Sequence, residues 1–476
     1  DRHRWTELDV QSFAGPGDPT YETGAEVTYR RDRPSATTNA GFFFQEQLAW
    51  RDRLFVTGGL RIDGNSAFGE NFGLQKYPKL GVAYVLSDHG FWPKQWVETF
   101  KLRGAIGESG KAPGAFDKLR TWSPVTGDEN QPGFTPENVG NPNLGPETTR
   151  EIEGGFDASF LNGLLGAEVT YFNARTTDAL VPVTRAPSAG FSNAQLQNVG
   201  EIRNSGTELQ LNLAMLRSHS LDWRVRGNLS RMWSKAVDLG ENTQVSTGQD
   251  SYIRCTPNPN AQIGQSACIR SKGEAFPQYY GTRMLNPNEI GDPNTLSDQP
   301  LGLVNPDRLW GIGTTFTFFN KLTVDAFVDH QGGFVVQNYT AYQNSRRGVW
   351  YPCYAAQEQM YKNGSTAGLT ALQQGRCSFT DYDIGYWTEP GDFTKLRYVS
   401  LTYSLPPRLL RGADHASISI AGRNLYMWSK YHGSDPELGD AADQGNLVGF
   451  AQAFGRDDYY QIPQPRTFTV SLRATF

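Results

Sequence analysis

A few stretches of the sequence combine residue types that carry chemistry. Gly107-Glu108-Ser109-Gly110-Lys111 ends like a phosphate-binding loop. Ala105 stands where the first glycine belongs, however, and Ala112 where a magnesium-binding hydroxyl is needed, so the parts that cradle a nucleotide are missing. Gly311-Ile312-Gly313 lacks the third glycine of a dinucleotide fingerprint and reads as strand glycine. The histidines, at 3, 89, 219, 330, 415 and 432, form no local ligand pair. Asp435, Glu437, Asp440 and Asp443 offer hard oxygen ligands, but without the glycine and closing glutamate of a calcium hand they read as a solvated acidic loop. The expectation is a protein with no catalytic set, no metal centre and no cofactor.

The cysteines fall in two sequence-local pairs, Cys255 with Cys268 and Cys353 with Cys377. Neither pair is spaced C-x-x-C and no histidine lies near at zinc spacing. Two short-range disulfides in an oxidising compartment are expected, each worth roughly 3 kcal/mol to a loop short of core; the alternative is four unrelated thiols. Aromatic residues crowd the same regions. Trp350, Tyr351, Trp387 and Tyr279 are candidate substrate-contacting rings, near the amides Asn338, Asn344 and Gln278, and such faces suit capture of a sugar or peptide. The competing reading of these rings is loop packing and an interfacial girdle.

The elements that must position these residues are strands. The chain has 476 residues, 38% hydrophobic and 20% charged, with 51 glycines and a net charge of −5. Mean hydropathy is −0.52, and no apolar run approaches the roughly 18 residues of a spanning helix. The charge and the lack of a basic stretch argue against nucleic acid as a partner. Period-two alternation dominates: Leu209, Leu211, Leu213 and Met215 share one face, Leu165, Ala167, Val169 and Tyr171 another, Leu322, Val324, Ala326 and Val328 a third. Candidate strands fall near 3–13, 24–31, 42–50, 54–63, 77–86, 100–107, 148–160, 164–173, 201–215, 221–234, 307–319, 321–333, 394–405, 416–425 and 466–476. Several exceed the roughly 5–6 residues of a globular strand and reach the 9–11 needed to cross a bilayer.

Connection lengths segregate. Tight turns lie at Leu161-Asn162-Gly163, Leu216–Ser220 and Asn320-Lys321; long loops lie near 108–147, 174–200, 235–306, 334–393 and 426–465. Short turns on one side and long loops on the other describe an outer-membrane barrel. Arg224, Arg226 and Arg473 then face the lumen, since each would cost roughly 2–4 kcal/mol near the bilayer midplane. At the C-terminus Phe468, Val470, Leu472, Ala474 and Phe476 share one face, the pattern of a barrel assembly signal.

Arg61-Ile62-Asp63-Gly64-Asn65-Ser66-Ala67-Phe68-Gly69 resembles the R-x-D-G-S-S-x-F-G segment of SusC/RagA-like TonB-dependent transporters, with Ile62 and Asn65 in place of commoner residues. Tyr77–Tyr84, Phe100–Gly107, Asn141-Pro142-Asn143-Leu144-Gly145-Pro146-Glu147, Asn198–Glu208, Phe393–Leu405, Gly422-Arg423-Asn424-Leu425-Tyr426 and Pro465-Arg466-Thr467-Phe468 follow in family order, covering nearly the whole chain.

The resemblance implies an all-β, transmembrane antiparallel barrel of about 22 strands. Residues 1–476 would be the C-terminal part of one such barrel, with about 15 strands, the plug domain and early strands lying outside this sequence; a single-chain barrel of odd strand number is itself unusual. It also implies TonB-dependent import of an oligomeric nutrient, glycan or peptide, in the bacterial outer membrane. The implied partners are TonB (through the N-terminal part), a SusD-like lipoprotein, outer-membrane lipids and the barrel assembly machinery. The alternative is a surface scaffold or adhesin using its long loops; a soluble β-rich secreted protein ranks last.

Overall fold

The computed structural model describes residues 2–13, 24–126, 131–183, 188, 190–191, 194–248, 251–262, 265–380, 383–406, 414–437 and 458–475. Long strands alternate along the chain: β1 (Arg2–Phe13), β2 (Gly24–Ala36), β3 (Asn39–Trp50), β4 (Leu54–Asn65), β5 (Gln75–Val85), β6 (Val97–Lys111), β7 (Glu147–Phe160), β8 (Leu165–Val183), β9 (Gln195–Arg217), β10 (Leu221–Leu239), β11 (Arg308–Phe318), β12 (Leu322–Gly332), β13 (Phe393–Leu405), β14 (His415–Ser429) and β15 (Thr467–Thr475). From β3 to β15 each pairs antiparallel with its sequence neighbour in a single sheet, and β3 and β15 end the pairing order. β1 and β2 pair only with each other.

The up-and-down order follows from the turns. Arg51 and Asp52 both take positive φ in the three-residue turn between β3 and β4, as do Phe319 and Asn320 in that between β11 and β12, a left-handed geometry that suits reversal of a right-twisted ladder. Leu161, Asn162 and Gly163 do the same between β7 and β8. The opposite ends carry the long connections.

Each of the expected strands is present, but the boundaries moved outward on the long-loop side. β8 runs to Val183 and β9 starts at Gln195, so the connection expected at 174–200 shrinks to 184–194. β10 and β14 likewise extend to Leu239 and Ser429. The reason lies in the side chains: the outer face of β8 and β9 turns from Leu and Val to Asn173, Arg175, Ser205 and Arg203 while the ladder continues. Apolar alternation stops where the strand leaves hydrocarbon; backbone pairing does not.

Directly opposite residues share a face, so the register assigns the two sides. Ala158, Ala167, Leu211, Gly227, Ile312 and Val328 form one transverse row. Phe468, Val470 and Leu472 oppose Gly422, Ile420 and Ile418 on the same kind of face. The larger side chains on this face stand exposed, Ile312 at 52% and Val470 at 68%, as a surface meant for lipid does, while the small Ala158 and Ala167 are covered by their neighbours. Phe476 lies outside the described residues. The buried side chains gather instead in the long connections.

Candidate functional site

The connections between β10 and β11, β12 and β13, and β14 and β15 fold together into a cap. A four-stranded sheet of Gln244–Gly248, Ser251–Arg254, Gln278–Met284 and Thr295–Leu303 comes from the first. The second supplies the helices Tyr339–Arg346 and Ala371–Cys377. Asn338 accepts from the amide of Ala341 to start the former. Thr370 and Gln373 form a reciprocal capping box at the latter, satisfying amides the helix leaves orphaned.

Both cysteine pairs are disulfide-bonded, Cys255–Cys268 and Cys353–Cys377. Each sits within a small buried cluster, the first with Val181, Leu239 and Ile253, the second with Ala356 and Leu369. The bridges therefore staple connections whose own cores are modest.

The expected substrate-contacting rings separate into two groups. Tyr279 and Trp387 are 0% and 1% exposed. Trp387 packs at a tilt against Trp350 at 5.0 Å and edge-on against Tyr342 at 6.1 Å between ring centres, forming the core that holds the helices. Trp350 is half-buried in that core. Tyr351 is 82% exposed and meets Tyr354 edge-on. The amides are also occupied structurally: Asn344 accepts from the Tyr460 hydroxyl at 3.1 Å and Gln278 donates to the Ala275 carbonyl at 2.7 Å. Among the described residues, Tyr351, Tyr354, Tyr361, Phe379, Tyr459 and Tyr460 are the cap's rings left facing outward beside its helices.

Ionic clamps fix the cap. Arg254 forks onto Asp298 at 3.0 and 2.7 Å and stacks 3.7 Å from the Tyr280 ring. Burial, then the Glu274 carboxylate, pushes the Tyr280 hydroxyl up to about 12, so it stays neutral. Asp435 and Glu437 correct the expectation of a solvated acidic loop. The Lys395 ammonium lies 2.7 Å from each of them, and Arg397 binds Glu437 and Asp329 through paired contacts. The basic partners come from β13, forty positions away. The ladder is irregular between Leu396 and Tyr398 on both sides of β13; such a bulge re-aims the intervening side chain, Arg397. Burial raises the Glu437 pKa, but the hydrogen bonds from Arg397 and Lys395 outweigh it and hold the carboxyl below its ordinary value. Asp440 and Asp443 lie outside the described residues. Among the described residues no His, Cys, Asp and Glu group has metal-ligand geometry.

Below the cap, the polar face carries a second set of charges. Arg226 reaches Asp325 at 3.2 Å and the Tyr398 hydroxyl at 2.6 Å, and Arg224 pairs with Asp222. Arg226, Arg224 and Asp222, with Asn212 and Thr315, line a cavity of about 690 Å³ at the tight-turn end. This side faces away from the apolar row, as a water-filled lumen requires.

The family model described as TonB dependent receptor-like, beta-barrel matches residues 2–425. The chain belongs to that family. It is 28% identical over 466 residues to TonB-dependent receptor P26 of Formosa agariphila, covering 92% of this chain and 46% of that protein. It is 23% identical to TonB-dependent receptor SusC of Bacteroides thetaiotaomicron, over 88% of this chain and 43% of the other. The structure of the RagAB peptide transporter superposes with a TM-score of 0.73 at 17% identity, covering 95% of this chain and 49% of that one. The chain thus spans about half the length of the relatives it matches. As a SusC/RagA-like TonB-dependent receptor barrel it is a bacterial outer-membrane protein. Its apolar rows face lipid, its Arg226–Asp325 face lines the lumen, and the cap stands on the long-loop side.

Proposed function

We propose that this chain supplies wall and outer capture surface to a TonB-dependent importer of an oligomeric nutrient, glycan or peptide. The observation that carries this is the cap: disulfide-stapled connections, folded on one side of the barrel, present Tyr351 and Tyr354 outward above a charged lumen. An outward aromatic pair offers flat, amphipathic contact to sugar rings or peptide groups at little entropic cost. Residues 1–476 act as the C-terminal part of one barrel, with a plug contributed by a preceding segment. Release inward is a gating step driven through TonB and needs no covalent chemistry. A SusD-like lipoprotein closes over the cap, and the β15 face carrying Phe468, Val470 and Leu472 (with Phe476) engages the assembly machinery.

The test is uptake by a strain lacking the gene, offered labelled oligosaccharides and oligopeptides of matched size. Import of one class is expected to fail and to return with the wild-type gene. Tyr351→Ala with Tyr354→Ala is expected to lower capture of that class with surface protein unchanged. Unimpaired uptake of every class by the deletion strain overturns the proposal.

A further inference from the structure

The lipid-facing rows of β7 to β10 end, on the long-loop side, in a row of cations. Arg150 opposes Arg175, Arg175 opposes Arg203, and Arg203 opposes Lys235. Cross-strand partners share a face, and this face is the one that carries Phe156, Val169, Leu209 and Leu229 six residues closer to the tight turns. Like charges at directly opposite positions repel. Four in succession on one face of a sheet therefore need a counter-charge.

Part of it comes from beneath. Glu201 and Asp238 are 4% and 7% exposed at the side chain. Glu201 takes Arg175 at 2.8 Å and Arg203 at 3.0 Å, and Arg270, from the connection after β10, bridges it to Asp238. Arg150 pairs with Glu108 on β6. The acids thus lie under the guanidinium groups, which remain half-exposed or more. Lys235 is exposed and has no acidic partner among the described residues. Five cations, Arg150, Arg175, Arg203, Lys235 and Arg270, stand over three carboxylates, Glu108, Glu201 and Asp238, leaving an outward surface with a net charge of +2.

The height of the row decides what it meets. Leu213 and Arg203 are ten residues apart on β9. At about 3.3 Å per residue and a tilt near 40°, that is about 25 Å along the bilayer normal, the height of a barrel's apolar band. The cations therefore sit at the outer headgroup level, facing the bilayer's rim and away from the lumen.

We propose that the outward face of β7–β10 is a docking site for the phosphate groups of outer-leaflet lipid, with Arg150, Arg175, Arg203 and Lys235 as its donors. Guanidinium forks match phosphate oxygens in pairs, and the acyl chains of the same lipid would lie along the apolar rows below. The site is independent of the nutrient-capturing cap and of whatever the lumen conducts.

The test uses the full-length protein extracted in detergent, titrated with bisphosphorylated lipid A and with the same lipid after enzymatic dephosphorylation, bound lipid being counted by native mass spectrometry. The phosphorylated lipid is expected to bind at least tenfold more tightly, and more weakly as salt screens the charges. Arg150→Gln with Lys235→Gln leaves Glu201 its own partners and is expected to lose about fivefold per charge removed. Arg175→Gln with Arg203→Gln should lose more, and is read only if its heat-modifiable folded band persists. Arg224→Gln, on the lumen side, should bind as wild type. Equal binding of the two lipids, or an unchanged Arg150→Gln/Lys235→Gln protein, overturns the proposal. Displacement by millimolar inorganic phosphate would make this a free-anion site, and loss of self-association in place of lipid would make it a contact between copies; either also overturns it.

Discussion

Replacing Lys395 by methionine is expected to free the segment that carries Asp435 from the barrel wall without unfolding the barrel. Lys395 is 5% exposed at its side chain and Asp435 9%. Removing one member of such a pair leaves an uncompensated buried charge, at a cost of about 3–5 kcal/mol. Glu437 keeps Arg397, with contacts at both guanidinium nitrogens, so the low end applies. Asp435 keeps only the Glu437 amide, through its other oxygen. The β12–β13–β14 ladders do not pass through the ammonium group, so the loss is local. About 3 kcal/mol corresponds to a detached population raised roughly a hundredfold or more. Hydrogen exchange of peptides covering 431–437, in full-length protein in nanodiscs, reads this directly. The partner experiment is Lys395→Met with Asp435→Leu, which replaces a buried ion pair by apolar groups and should restore most of the protection. Unchanged exchange in the single variant, or no recovery in the double, would refute the claim that this pair holds the segment down.

The same clamp sets a pH dependence. Glu437 titrates below its ordinary value in the folded cap, so its contribution is complete above the ordinary carboxylate pKa of about 4.3 and is lost as pH falls through the depressed value; the protection factor at 431–437, exchange relative to the intrinsic rate at each pH, should therefore fall on acidification below pH 4 and stay constant between 6 and 8. Replacing Cys353 and Cys377 by alanine should cost the β12–β13 connection about 3 kcal/mol, seen as a new protease cut within 351–377 while the amount of barrel in the membrane is unchanged. Leu209→Arg, near mid-height on the lipid-facing side, should destabilise the barrel by about 2–4 kcal/mol, whereas Asn212→Arg on the lumen side should be tolerated; the folded fraction on unboiled gels separates them.

The membrane-crossing halves of the strands were legible because hydrocarbon imposes a strict pattern: Leu209, Leu211 and Leu213 can only face one way. Their upper halves were not, because Asn173, Arg175 and Arg203 lie at or above the headgroup level, where the outer face is polar and no longer alternates by hydropathy. The disulfides were readable from local spacing. The cap's helices were not, since Tyr339–Arg346 and Ala371–Cys377 are only about two turns long and are held by tertiary contacts around Trp387. The burial of Tyr279 and Trp387, and the pairing of Asp435 and Glu437 with β13, depend on partners distant in sequence. Composition could count the rings and the acids; only the fold says which are structural and which are left to meet a ligand.

The length of β9 has a consequence for the cell surface. With the hydrocarbon ending near Arg203, the 23-residue strand carries its far end, Gln195, about 20 Å above the hydrocarbon. β8 and β10 rise beside it, so the stapled cap stands on a stiff, hydrogen-bonded pedestal. Antibodies, phage tails and surface-labelling reagents arriving from outside meet the cap first and the lipid second.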